Sequence, residues 1–353
     1  MTLTAPRTRF HRAPGSDAVE PPEAHGFARD AVKLLVARPD GVSHVRFADL
    51  GDHLRPGDLL VVNNSATMPA AVDGRRDGRP IAVHFSTRRA DRSWVVELRP
   101  AGDAAGHLPD VRPGERIDLP SGAALVIVSS YPEVGAEGAR LWTARVVVEG
   151  DVASYLARHG RPIRYSYVPR PWPLRYYQTV FARQPGSAEM PSAARPFSTE
   201  LVTALVSAGI AIAPITLHAG VSSAEAGEPP TPEPFAVPAA TARMVNSARA
   251  AGSRVIAVGT TATRALESAT TANGVVRAVA GWSDLVLGPG RPCRVVDGLI
   301  TGWHDAGASH LLLLEAVAGP ELVGLAYREA VEHGYLWHEF GDSALLLPAP
   351  APT

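Results

Sequence analysis

The 353-residue chain is 46% apolar and 20% charged, enough for two globular domains. Its net charge of −1 excludes a chain-wide attraction to polyanions, and its one cysteine, Cys293, excludes an internal disulfide framework or a cysteine zinc site. The single lysine, Lys33, lies in Val-Lys-Leu-Leu-Val, so there is no Gly-x-x-x-x-Gly-Lys-Ser/Thr phosphate loop, and Schiff-base chemistry would have to use a residue in an apparent strand.

The first 25 residues, rich in Pro, Arg and Ala, read as a loose arm without an apolar signal core. No apolar run approaches about 18 residues, so the expected setting is cytoplasmic, with no membrane partner. A first stretch of α/β domain covers residues 26–69. In it Val32 to Ala37 reads as a strand, Asp49 to Leu54 as a short helix and Asp58 to Asn63 as a fully buried strand. Residues 70–150 carry short strands (Ile81 to Ser86, Trp94 to Leu98, Ala124 to Val128, Trp142 to Val148) separated by Gly, Pro and Asp, the pattern of an inserted antiparallel barrel.

The remainder, 151–353, alternates helix and strand. Helices are expected over Val152 to Arg158, Thr199 to Ser207, Ala239 to Ala251, Thr260 to Thr271, Ser309 to Val317 and Glu321 to His333. Strands are expected over Ala211 to Leu217 and Arg254 to Val258, with Pro229 to Pro238 as a proline-rich loop. The fold class is thus α/β, a mixed-sheet α/β domain interrupted by a small antiparallel β-barrel.

The sharpest local feature is Arg254-Val-Ile-Ala-Val-Gly259-Thr260-Thr261-Ala-Thr-Arg264-Ala-Leu-Glu267-Ser. A buried strand runs into glycine, and two hydroxyl residues then open a helix whose first amides favour an anion. The same spacing fits an ordinary capped helix with a surface Arg264–Glu267 ion pair. Asn63-Asn64 leaves a strand end, where two amides can read a base edge or simply make a turn. His218, after Ile215-Thr216-Leu217, and His304, in Trp303-His304-Asp305, are candidates for proton transfer or for structural roles. From Arg158 to Arg183 six arginines interleave with Tyr165, Tyr167, Trp172, Tyr176 and Tyr177 with no acid between. That composition suits a nucleic-acid surface, and equally a solvated connector with aromatic anchors. No Gly-x-Gly-x-x-Gly or His-Glu-x-x-His is present.

Taken in order, Gly57-Asp58-Leu-Leu-Val-Val-Asn63-Asn64, Tyr177-Gln178-Thr179-Val180, Ile215-Thr216-Leu217-His218-Ala-Gly220, the Gly259-Thr260-Thr261 segment and Gly341-Asp342 resemble the S-adenosylmethionine:tRNA ribosyltransferase-isomerase (QueA) family, from about residue 30 onward. The resemblance implies transfer of the ribosyl part of S-adenosylmethionine to an aminomethyl-deazaguanine base in tRNA, releasing adenine and methionine without a metal or second cofactor. It implies that Gly259, Thr260, Thr261, Arg264, Asn63, Asn64, Tyr177 and Gln178 face the cofactor or base, and that His218 and His304 move protons. This chain departs from the family where Thr-Arg-Val-Ile-Pro-Ala-Arg is replaced by Ser65-Ala66-Thr67-Met68-Pro69-Ala70-Ala71, and where Pro-Thr-Ala-Gly-Leu-His-Phe becomes Pro191-Ser192-Ala193-Ala194-Arg195-Pro196-Phe197. Three readings stay open: the family reaction on tRNA, with barrel arginines Arg75, Arg76, Arg88 and Arg89 assisting; use of S-adenosylmethionine on a small-molecule acceptor or as a lyase; and a catalytically inactive tRNA- or nucleotide-binding module.

Overall fold

Residues Leu59 to Val62 are all apolar, and their side chains alternate between two different cores: Leu59 and Val61 enter one, Leu60 and Val62 the other. Val255 to Val258 behave in the same way. Strands with both faces buried belong in the middle of a helix-covered sheet, where each large apolar side chain contributes about 1.5–3 kcal/mol. The computed structural model, which describes residues 5–102, 106–136, 138–221 and 230–349, places them there.

In chain order, β1 (Lys33–Arg38) and β2 (Gly41–Arg46) form a hairpin and β3 (Leu59–Asn63) enters the sheet. After β4 (Ser65–Thr67) come β5 (Ala71–Arg76), β6 (Arg79–Arg88), β7 (Trp94–Pro100), β8 (Arg116–Asp118), β9 (Ala124–Tyr131) and β10 (Leu141–Val147), which close into a barrel ordered β10-β7-β6-β5-β8-β9. The chain continues through α1 (Val152–His159), β11 (Gln184–Ser187), α2 (Thr199–Ser207), β12 (Ala211–Leu217), β13 (Glu233–Val237), α3 (Ala239–Ala250), β14 (Val255–Val258) and α4 (Thr260–Ser268). It ends with β15 (Val279–Ser283), β16 (Gly298–Gly302), α5 (Ser309–Ala318), α6 (Pro320–Glu332) and β17 (Ser343–Leu346). Nine strands make the large sheet, in the order β15-β13-β12-β3-β14-β16-β17-β1-β2. Its centre, β12, β3, β14 and β16, is parallel, while β17 runs antiparallel to β16. This is the mixed-sheet α/β fold interrupted by a barrel that the sequence implies.

Three local readings are corrected. Residues 5–25 are not a loose arm. The Thr8 amide and hydroxyl donate to buried Glu315 at 2.7 and 2.8 Å, Phe10 packs on Tyr327 at 4.7 Å, and Ser16 to Ala18 exchange backbone bonds with Trp337. The proline-rich stretch holds a strand, β13, paired to β12 and β15; Pro229 lies outside the described residues. The expected helix from Asp49 is a 3-10 helix over Phe47–His53. At the amino end of the parallel strands Asp58 takes the Arg254 side chain and the Arg55 amide, so the Gly57-Asp58 motif is a structural clamp. No single helix among the described residues is long and apolar enough to cross a membrane.

Candidate active site in the cleft between sheet and barrel

The parallel strands β14 and β16 deliver Gly259 and Thr301 to their carboxyl ends, the edge of an α/β sheet where ligands bind. The barrel stands over that edge, and between the two lies a cleft of about 700 Å³. Its wall combines the Gly259 turn, the loop from Thr301 to His310, the tyrosines of the 158–183 segment, barrel residues Glu97, Arg99 and Arg140, and His338 and Glu339.

Gly259 has φ +92°, and a Cβ there would meet Ala193 at 3.2 Å, so glycine is needed both for the turn and for the close approach. Helix α4 begins at Thr260 with no side-chain cap, leaving the first amides of the helix and their partial positive charge at the cleft. Thr261 Oγ1 receives a hydrogen bond from Asn63 Nδ2 at 3.1 Å. Asn63 is fully buried and does not line the cleft; its carboxamide also binds the Leu217 carbonyl and the amides of Ser65 and Leu217. It therefore holds the turn in place.

The expected Arg264–Glu267 surface pair does not form, because both side chains are buried and turn elsewhere. Arg264 reaches the cleft wall, but its guanidinium is engaged by Glu233 and by the Leu285 and Ser283 carbonyls. Burial pushes the Glu233 carboxyl upward, while Arg264 and the Gly220 amide pull it down. Glu267 accepts the amides of Arg294, Val295 and Val296. The second half of this motif builds the scaffold rather than the cavity surface.

His304 lines the cleft, with Nε2 3.1 Å from Thr301 Oγ1 and its ring stacked on His310 at 4.5 Å. Burial, and then the neighbouring His310 and His338, hold His304 well below the ordinary histidine value. Burial, assisted by the Arg264 charge, brings His310 down to about 4. Both rings are therefore neutral near pH 7, each with a nitrogen lone pair that can take a proton, although the same depression makes them weaker bases than an ordinary imidazole. Asp305 does not orient His304; it is exposed and lies 3.5 Å from Arg12.

Tyr177 also lines the cleft, whereas His218, Asn64 and Gln178 do not. His218 Nδ1 lies 2.7 Å from Ser65 Oγ, and its ring packs so tightly on Gly186 that a Cβ there would come within 2.5 Å. Burial lowers its pKa. Asn64 Oδ1 accepts from Thr216, and Gln178 pairs with both backbone groups of Thr67, taking the place of a neighbouring strand. Ser222 and Ser223, which follow the His218 segment, lie outside the described residues.

The sequence reading missed several charged groups in the wall. Glu97 is fully buried; burial pushes its carboxyl up, but the His84 hydrogen bond and the charges of Arg99 and Arg140 outweigh this and hold it at about 2. A strand signal existed, since Glu97 and Arg99 are two apart and share a face. Glu189 and Glu339 come from separate segments with no local signature. The 158–183 segment divides: Tyr165, Tyr167 and Tyr177 turn into the cleft, while Arg170 stacks on Trp172 at 4.3 Å and Arg175 on Tyr176 at 4.8 Å, both guanidinium groups outside it. Of the barrel arginines, Arg76 is held by Asp110 and Glu115.

Fold and site together define a mixed-sheet α/β scaffold interrupted by a closed barrel, with a cleft between the barrel and the carboxyl edge of the sheet. The chain belongs to the queuosine biosynthesis protein family, whose model matches residues 8–346. It is 36% identical to S-adenosylmethionine:tRNA ribosyltransferase-isomerase of Moorella thermoacetica over 354 residues, covering 96% of this chain and 98% of that protein. It is 35% identical to the enzyme of that name from Thermus thermophilus, covering 90% and 93%. The crystal structure of S-adenosylmethionine tRNA ribosyltransferase from Thermotoga maritima superimposes with a TM-score of 0.52 at 25% identity, covering 96% of this chain and 99% of that one. These relatives bear tRNA-enzyme names and lend no support to a small-molecule acceptor.

Proposed function

We propose that the protein is an S-adenosylmethionine:tRNA ribosyltransferase-isomerase, and that the cleft at Gly259 is where it works. The observation that carries the reading is the family match over residues 8–346 together with the uncapped α4 turn facing the cleft. The residues present suit the cofactor: a helix N-terminus for its carboxylate, aromatic faces for its adenine and sulfonium, and neutral imidazoles for proton removal.

When bound, the sulfonium of S-adenosylmethionine acidifies the adjacent C5′ hydrogens. The amides after Gly259, with Thr260 and the Thr261 hydroxyl fixed by Asn63, hold the polar end of the cofactor. His304, neutral and steadied by Thr301, is the proposed acceptor of the C5′ proton, with His310 stacked behind it. The buried wall keeps water from competing at the reacting carbons. His218 and Asn64 act as supports for the strand ends that carry this machinery. For tRNA, the guanidinium groups of Arg175 and of Arg170, the latter on leaving its ion pair with Glu20, supply phosphate contacts outside the cleft.

The test is mass spectrometry of the protein incubated with S-adenosylmethionine, with and without tRNA carrying the aminomethyl-deazaguanine base. Adenine and methionine released only with that tRNA, with the matching mass gain on the RNA, is the expected result. Release without tRNA, or none at all, contradicts the reading.

A further inference from the structure

Among the described residues, a group of metal-ligating side chains gathers outside the cleft: His44 on β2, Glu329 on α6 and His333 just past the end of α6. Strand β2 is the edge of the large sheet, with His44 paired to Leu35 of β1, and α6 packs on β1. Glu329 and His333 are four residues apart, which sets both on the side of the helix end that meets His44.

His44 Nε2 and His333 Nδ1 each lie 3.5 Å from the same oxygen, Glu329 Oε2, and the three residues offer donor atoms within 4.8 Å of one another. The two imidazole rings stack at 4.0 Å with 28° between their planes. At 3.5 Å both nitrogens stand beyond the ordinary hydrogen-bond range of about 2.7–3.2 Å. The spacing is closer to that of two ligands on one tetrahedral ion, where bonds of about 2.0–2.1 Å set neighbouring donors about 3.3–3.4 Å apart. A second contact supports this. His44 Nδ1 lies 3.0 Å from the Tyr335 hydroxyl, the kind of outer partner that fixes the ring of a ligating histidine and frees its other nitrogen for the ion. His333 Nδ1 donates to the Glu329 carbonyl at 2.9 Å, and a neutral imidazole yields that nitrogen to an ion by shifting its proton to Nε2. The carbonyls that end α6 carry partial negative charge, and Lys33 Nζ already donates to those of His333 and Gly334 at 3.0 and 3.1 Å.

We propose that His44, Glu329 and His333 form a site for a divalent transition-metal ion of the zinc class. Two imidazoles and a carboxylate are a three-ligand set that zinc takes with its fourth position open, and side chains that are 29–47% exposed leave that position to water. Calcium and magnesium favour oxygen ligands and are poorly served here. None of the three residues lines the cleft, so the ion takes no part in the chemistry proposed above, and the inference stands apart from it. Its effect is to tie the edge strand to the end of α6, where the chain turns into the loop that carries His338 and Glu339 to the cleft wall. Exposed ligands and the nearby Lys33 charge limit the affinity to the micromolar range, a Kd of about 1–30 μM.

The experiment titrates the untagged, metal-stripped full chain with zinc chloride at about pH 8, where free imidazole is neutral. Binding is read by calorimetry and by thermal melting, with magnesium chloride as the hard-ion control and cobalt(II) as a spectroscopic probe. We expect one zinc per chain, no heat from magnesium at the same concentration, and the intense visible bands of low-coordinate cobalt. Zinc at ten times its Kd favours the folded state about elevenfold (about 1.4 kcal/mol) and raises Tm by about 2 °C in a chain this long. His44→Ala, His333→Ala and Glu329→Gln each weaken zinc binding at least tenfold and abolish the shift. His25→Ala, which changes an exposed histidine paired with Glu20, leaves both unaltered. His333 is the most exposed of the three ligands, so its variant decides if either of the others does not fold, with circular dichroism as the check on folding. The proposal is overturned if the parent binds no zinc below about 100 μM, if magnesium binds as well as zinc, or if the folded variants keep zinc affinity within about twofold of the parent.

Discussion

Asn63→Asp changes a single atom in size and shape terms, and the structure sets a ceiling on its cost. The carboxamide oxygen accepts from the Ser65 and Leu217 amides, and a carboxylate keeps both bonds. The Nδ2 group donates to the Leu217 carbonyl at 2.8 Å and to Thr261 Oγ1 at 3.1 Å, and both donations are lost. The hydroxyl of Thr261 can rotate to donate instead, but the carbonyl then faces a buried anion. The protein escapes by protonating the new carboxyl, which restores a donor. At pH 7, from an unfolded pKa of about 3.9, that costs about 4 kcal/mol, so the penalty cannot exceed this, and the ceiling falls by about 1.4 kcal/mol for each unit of acidification. The folded pKa of the new group is raised, so the deficit is largest above that value and shrinks as pH falls toward the unfolded one. A loss of about 2–3 kcal/mol at pH 7 lowers Tm by roughly 5–10 °C in a domain of this size. The assay is a pair of melts of variant and parent at pH 7 and pH 5, with cofactor Kd at each. Melting curves that coincide at both values, with unchanged Kd, would refute the claim that Asn63 tethers the Gly259 turn.

Three further outcomes are expected. Glu267→Gln keeps an oxygen for the three amides but removes the charge and sets an NH2 donor against the Arg294 amide, which now also reaches Oε2, lowering stability by about 1–2 kcal/mol, read by urea unfolding; an unaltered midpoint would show that the Arg294 to Val296 turn does not depend on the carboxylate. His304→Ala reduces kcat by about 100- to 10,000-fold with little change in fold. Because the folded His304 and His310 are depressed, the parent's rate should stay level between about pH 6 and 8 and fall only in acid, as protons reach the rings; a rate halving near the ordinary histidine value of about 6.5 would count against a buried neutral base. Arg170→Ala and Arg175→Ala should each reduce the slope of log affinity for tRNA against log salt by about 1, with S-adenosylmethionine binding unaffected; a slope that does not move excludes phosphate contacts there.

The elements legible in the sequence were those whose signals are local. Thr199 to Ser207 reads as a helix followed by a glycine, Gly209, and the structure keeps those limits and adds a cap, the Ser198 side chain accepting the Leu201 amide. Leu59 to Val62 reads as buried because nothing polar interrupts it. Strand β13 was hidden by its prolines, and what makes it a strand is pairing with β15, more than 40 residues on, which no local pattern encodes. The site divides in the same way. Gly259 and Thr260 announce themselves as a turn opening a helix, whereas Glu97, Glu189 and Glu339 meet only through the closure of the barrel over the sheet. The Gly341-Asp342 motif was recognised as a pattern without its reason: Asp342 binds the amides of Lys33 and Leu336 and so closes the loop that presents His338 and Glu339.

That loop is tied to residues at the far end of the chain, since Leu34 pairs with Ser343 and Ser16 with Trp337. During synthesis, the six barrel strands emerge as one uninterrupted run and can close while the large sheet still lacks six of its nine strands. Strand β1 is made first yet stands between β2 and a partner that is made last. Its inner edge must wait, with apolar Leu34 to Ala37 exposed to whatever else the cell offers, until β17 arrives. Completion of the cleft is thus a late event, and nascent chains stalled before β17 should carry a folded barrel and no capacity to hold either reactant.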